Sequence, residues 1–324
     1  MAAYTGIQGQ NILIVSSDPS DPTEGQIWYN TTTNLLKGYA NVATNAWASG
    51  GNLNTARQEG AGSGIQTSGL NFGGDPGPTS AATETYNGTS WTTVNSLGTG
   101  RGSLAGCGTQ TASLAIGGGL FLTTTESWNG TSWSPVSGLN TGRNQLAAAG
   151  IQTSALAIGG CNDIPGVSNS AVESWNGTSW TAVNSLNTAR RLLAGSGVQT
   201  AALAFGGRNA PPNADNNAGT ESWNGTSWTA VNSLNTGRAQ LSGCGTQTLA
   251  LAFGGANPPG TQTELWNGTS WTSNPTGLAT GRTSASGLGT QTSALNAGGA
   301  TTVVVANTEE WTGTALATRT ITTS

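Results

Sequence analysis

Histidine is absent from this 324-residue chain, lysine occurs once (Lys37), and charged side chains make up only 7% of it. The first absence removes imidazole acid–base relays and His-ligated metal sites. The net charge is −4 and no basic cluster occurs. Nothing therefore offers the positive face that releases phosphate counterions, and no nucleic-acid partner is expected. No apolar run approaches the roughly 20 residues that span a bilayer, and the N-terminus lacks a charged-then-apolar leader. Neither membrane insertion nor export by the usual secretory route is expected. Cysteine is scarce too. Cys107 and Cys244 stand at the same place in two similar segments, and Cys161 stands alone, a pattern of small buried thiols rather than a disulfide framework.

What the chain has in excess is glycine, 50 residues of it, together with Thr, Ser and Asn. Such a composition suggests disorder, but recurring Trp and Val/Leu/Ala runs supply the apolar surface that disordered segments lack. These runs are periodic. Arg57, Arg101, Arg143, Arg190, Arg238 and Arg282 follow one another at intervals of 44, 42, 47, 48 and 44 residues. After each come about ten small residues, Gly-x-Gln-Thr, an apolar run ending in Gly-Gly, then Thr-Glu-x-aromatic or a close variant. A period of 40–50 residues built from short strands marks a repeat architecture.

The third repeat shows the expected strands. Residues 144–149 form an inner strand a, Gly150-Ile151-Gln152-Thr153 a turn, and residues 154–158 strand b, stopped by Gly159-Gly160. Residues 172–175 form strand c, and residues 178–181 form strand d. Asn176-Gly177 between c and d predicts a type I′ hairpin. Four short strands per repeat make one blade of a β-propeller. Gly-Gly, then an aromatic, then Trp, then Arg about ten residues later resembles the Kelch pattern over residues 37–312. The resemblance implies a Kelch-like β-propeller and little about activity.

Six a–b units are countable, but only five Asn-Gly-Thr-Ser-Trp segments follow them. Trp47 lies ten residues before Arg57, the spacing of a strand d. The expected fold is therefore all-β, with six four-stranded blades and a ring closed by residues 45–50 joining the last blade. A seventh blade is the alternative, because Leu316-Ala317-Thr318-Arg319 mimics the segment before strand a. The expected division is 1–40 as an attachment or oligomerisation segment, 41–312 as the propeller, and 313–324 as a C-terminal tail.

Residues that recur in every repeat are expected to build it. Each arginine has a partner in strand c: Glu84, Glu126, Glu173, Glu221, Glu264 or Glu309. The equal stoichiometry predicts six structural ion pairs with bidentate geometry. Ten of the twelve tryptophans lie in the c–d hairpins, where burial between blades explains them better than sugar stacking. The Asn-Gly-Thr triplets at Asn87, Asn129, Asn176, Asn224 and Asn267 match a glycosylation sequon but are accounted for as turns.

Function is expected where repeats differ, namely in the b–c loops. Those of the third and fourth repeats are longest, and Phe121, Asn162, Asp163, Arg208, Asn209 and Asp215 are the candidate binding residues. No catalytic residue, metal site or cofactor is expected. Asp163 and Asp215 would be the carboxylates of the enzymatic alternative, a propeller glycoside hydrolase. Outside the repeats, Pro22-Thr23-Glu24-Gly25-Gln26-Ile27-Trp28-Tyr29-Asn30-Thr31-Thr32-Thr33-Asn34-Leu35-Leu36-Lys37 is similar to segments of bacteriophage tail-fibre and other virion structural proteins. That resemblance implies a non-enzymatic virion protein, assembled in the host cytoplasm and exposed after lysis. Its partners would be other virion proteins through residues 1–40, a host-surface glycan or protein, and a further copy of itself. A cellular Kelch adaptor is the third reading.

Overall fold

A computed structural model describes residues 12–42, 45–75, 80–162, 167–210, 215–256 and 260–321. Among them there is no helix. Four-stranded antiparallel sheets, arranged like blades, give an architecture consistent with a β-propeller. The chain divides into two units, Ala46–Thr312 and Met1–Asn45 with Gly313–Ser324.

In the larger unit the repeats become sheets one to six, in chain order. Sheet three is typical, with a at Ala147–Ile151, b at Ser154–Ile158, c at Val172–Trp175 and d at Trp180–Val183. Strand a begins later than the sequence suggests, because Gln145 has a φ of 54° and Asn144 forms only an isolated bridge to Cys161. Strand b of sheet three is apolar and buried along nearly its whole length, as a strand packed on both faces must be. In the sixth sheet, strand d is Ala46–Ser49, which pairs with Thr308–Thr312 and sets Trp47 opposite Trp311.

The c–d hairpins depart from the expected two-residue turn. Trp175 pairs with Trp180, so four residues make the loop. Only the glycine takes positive φ, 92° at Gly177, while the Asn176 side-chain carbonyl accepts from the Thr178 and Ser179 amides at 2.9 Å. The asparagine side chain does by hydrogen bonding what a left-handed backbone would have done.

Contacts between successive sheets repeat as faithfully as the strands. The Gln152 amide donates to the Trp128 carbonyl of the sheet before it, and its own carbonyl accepts the Trp175 indole at 3.0 Å. Gln66 of sheet one reaches the Trp311 carbonyl of sheet six in the same way. Strand-d indoles donate to a threonine of the preceding sheet: Trp47 to Thr263, Trp91 to Thr308, Trp133 to Thr83, Trp180 to Thr125 and Trp271 to Thr220. Trp228 is the exception. Val172 takes the threonine's place, and the buried Trp228 indole N–H makes no hydrogen bond.

In the smaller unit, Leu13–Val15 runs parallel to Ile27–Asn30, which pairs with Leu35–Val42, which pairs with Ala315–Thr320. Within the stretch read as a C-terminal tail, Ala315–Thr320 is thus a strand, and it groups with the N-terminal segment rather than standing apart. Asp18 organises this sheet's polar contacts, accepting from the Trp28 indole, Asn30 and Lys37. Those hydrogen bonds, that of Lys37 first, hold its carboxyl down to about 2.

Candidate functional site

The six arginines and six glutamates meet within their own sheets: Arg57–Glu84, Arg101–Glu126, Arg143–Glu173, Arg190–Glu221, Arg238–Glu264 and Arg282–Glu309. The arginines are at most 2% exposed and the glutamates at most 4%. Each contact uses one nitrogen and one oxygen, 3.0 Å apart in Arg143–Glu173, not the bidentate fork. The remaining valences are spent locally. Arg143 also donates to the Gly159, Ala171 and Ala157 carbonyls, and Glu173 accepts from the Asn140 and Thr141 amides. Burial lowers the Arg143 pKa, and the facing Glu173 opposes that shift. Arg143 Nε is left without a partner, but it is buried, so neither member is presented to a ligand.

Two residues after each arginine the pattern changes. Glu59, Ser103, Gln145, Leu192, Gln240 and Ser284 all have φ between 53° and 56°, a left-handed conformation uncommon outside glycine. Their peptide groups form one hydrogen-bonded circuit. The Ser103 N–H donates to the Glu59 carbonyl, Gln145 to Ser103, Leu192 to Gln145, Gln240 to Leu192, Ser284 to Gln240, and Glu59 to Ser284, every bond 2.8 or 2.9 Å. These six residues line an open cavity of about 130 Å³, over a floor that includes Leu104, Leu146, Leu193 and Leu241. The cavity lies where strands a begin, on the side of the sheets that carries the b–c loops.

Around the rim the side chains are held by one another. Ser103 Oγ donates to Glu59 Oε2 at 2.5 Å, Arg191 Nη1 to Gln145 Oε1 at 3.5 Å, and Gln240 Nε2 to Ser284 Oγ at 3.1 Å. The b–c loops begin beside this rim. Arg190–Arg191 pairs with Arg208–Asn209, and Gln58, Asn144, Ala239 and Thr283 bridge to Asp75, Cys161, Ala256 and Ala300.

The loop residues singled out from the sequence are only partly gathered. Arg208, Asn209 and Asp215 share one loop, where the Asn209 N–H donates to the Asp215 carbonyl and Asn209 Oδ1 accepts from Asn217. Ser168 donates to the Arg208 carbonyl at 3.0 Å, tying the loop of the third repeat to that of the fourth. Asn162 is half-buried beside Cys161, Asp215 is exposed, and Asp163 lies outside the described residues. Phe121 belongs to the second repeat's loop, in a left-handed turn with φ 59°.

The axial positions are the ones that sequence reading missed. Their signal was present, because glutamate, serine, glutamine and leucine stand at a fixed distance from a repeated arginine. Among the described residues no three His, Cys, Asp or Glu side chains come together as a metal site. Burial pushes the Cys107 thiol up to about 12 and the Cys244 thiol higher, so neither is a ready nucleophile. No family model and no curated protein matches this chain.

Proposed function

We propose that this chain is a non-enzymatic structural protein of a bacteriophage virion, a fibre, appendage or capsid-surface component that displays a Kelch-like propeller as a binding module. The propeller has six four-stranded blades and is closed by the Ala46–Ser49 strand. The axial hydrogen-bond circuit and the Gln66–Trp311 contact support closure. Six blades are favoured over seven because residues 35–42 and 315–320 pair in a sheet of a different pattern, which includes a parallel strand. The virion assignment rests on the likeness of residues 22–37 to virion structural proteins. Residues 1–40 would join other virion proteins or a further copy of the chain.

One observation carries the binding role. The strands, ion pairs and c–d turns repeat closely, yet at the axial mouth the repeats offer four different residue types on one shared backbone conformation. A scaffold that fixes its backbone and varies its side chains at a concave site suits recognition. The loops around Asn162, Asp163, Arg208, Asn209 and Asp215, with Phe121 further round, would widen that surface toward a host-surface or virion ligand.

Purified particles test the assignment. Mass spectrometry should find the chain in them, and antibodies raised against residues 46–312 should label intact particles. Absence from particles overturns the virion reading. Presence without labelling overturns display.

A further inference from the structure

The six axial residues share a conformation in which glycine is the least strained choice. A left-handed backbone brings an L-residue's Cβ too close to the following carbonyl and is therefore strained. Glycine is abundant in this chain, and both residues of each of the six Gly-Gly pairs have positive φ, as at Gly73 and Gly74. Nevertheless no axial position is glycine. Six strained side chains around one cavity are retained against the backbone's preference, and backbone strain of this kind clusters at functional sites.

Their hydrogen bonds define what remains to be offered. Arg191 can only donate, so Gln145 turns its oxygen to it and leaves its Nε2 hydrogens for a ligand. Gln240 gives Nε2 to Ser284, which leaves Gln240 Oε1 as an acceptor and the Ser284 hydroxyl proton as a donor. Glu59 takes the Ser103 hydroxyl on one oxygen and keeps the other as an acceptor. The rim therefore presents both kinds of group: acceptors at Glu59 and Gln240, donors at Gln145 and Ser284. An ammonium or guanidinium brings donors only and leaves Gln145 and Ser284 unmatched. A carboxylate or phosphate brings acceptors only: it leaves Gln240 Oε1 unmatched and meets the Glu59 charge, while the Arg191 guanidinium is engaged by Gln145 Oε1. A hydroxyl both donates and accepts, and several hydroxyls on an apolar ring match a mixed rim above a leucine floor. The open cavity takes about four waters at roughly 30 Å³ each, room for the hydroxyl-bearing edge of one sugar ring rather than for the whole ring or a longer chain.

We infer that the axial mouth binds a neutral polyol, the terminal hexose of a glycan, with Glu59, Gln145, Gln240 and Ser284 reading its hydroxyls. This rests on the propeller acting as a binding module, and it does not depend on display by a virion. The test uses the full chain and a panel of methyl α- and β-hexopyranosides, with lysine methyl ester and acetate as cationic and anionic comparators, followed by saturation-transfer NMR and titration. At least one neutral glycoside should bind. Gln240→Gly and Glu59→Gly should weaken it roughly tenfold or more, the loss of one hydrogen bond to a charged or well-placed partner, while melting temperatures stay level or rise. Glu59→Gln should weaken it less than Glu59→Gly. Binding by lysine ester or acetate in place of all glycosides, or no glycoside binding at all, overturns the proposal. So does glycoside binding that survives both glycine variants, since the sugar would then sit elsewhere. Failure in this assay leaves particle labelling unaffected, so the two readings fall separately.

Discussion

Arg143 and Gln145 are two residues apart, each with its backbone amide hydrogen-bonded, yet they follow opposite rules. The arginine position holds the same residue in all six repeats, buried, with its partners supplied by its own sheet. The position two residues on holds four different residues, half-buried, over a cavity. A hydrogen-bonded backbone is common to both, so it does not distinguish building from binding. The difference lies in whether a side chain's hydrogen-bonding capacity is used up inside the fold. Arg143 and Glu173 have little left to give. Gln145, Gln240 and Glu59 each have one side committed and one open.

The sharpest break in this comparison is at the ion pair. Glu173→Ala strands the buried Arg143 guanidinium and should cost about 3–5 kcal/mol of stability, read as a large drop in the midpoint of thermal or denaturant unfolding. An unchanged midpoint would mean that water replaces the carboxylate and that the pair is not structural. A smaller change of opposite sign is expected where the repeat is imperfect. Val172→Thr gives the Trp228 indole the acceptor that its five counterparts have, and should raise stability by about 1 kcal/mol. The axial residues should move stability least. Leu192→Gly trades left-handed strain against unfolded-chain entropy and some packing, and should fall within about 1 kcal/mol of the parent.

A third kind of charge, solvent-exposed, completes the series. Asp18 is held near 2 by Lys37, Trp28 and Asn30, below its ordinary 3.8. A depressed carboxylate contributes stability that is fully present above the ordinary value and is lost as pH falls through about 2. Trp28 fluorescence should therefore hold steady down to about pH 4 and change between there and pH 2, with Asp18→Asn abolishing that step. Added salt should weaken the Asp18–Lys37 pair and leave the buried pairs untouched.

Legibility in the sequence followed the same division. The strands, the Arg–Glu partners and the role of Trp47 could be read because six copies of one pattern average out local noise. Gln145 and its equivalents could not, since variation at a fixed offset reads as drift until the backbone circuit shows that all six share a cavity. The c–d turn was misread because asparagine has two ways to make a tight turn, and only geometry tells an accepting side chain from a left-handed backbone. The Ala315–Thr320 strand was invisible for a different reason. Its partner, Leu35–Val42, is more than 270 residues away in sequence, and Leu316–Arg319 reads instead as the segment before a strand a.

The axial circuit has an electrostatic corollary. Six peptide hydrogen bonds that chase one another head to tail close on themselves, so the components of their dipoles that run around the ring cancel. This differs from a helix end, where aligned dipoles add and favour one sign of charge. Among the six cavity residues Glu59 carries the one charge, and Arg191, bonded to Gln145, brings the opposite sign to the rim. Replacing Glu59 with lysine would remove that negative charge and add a second positive one, without touching the frame that holds it.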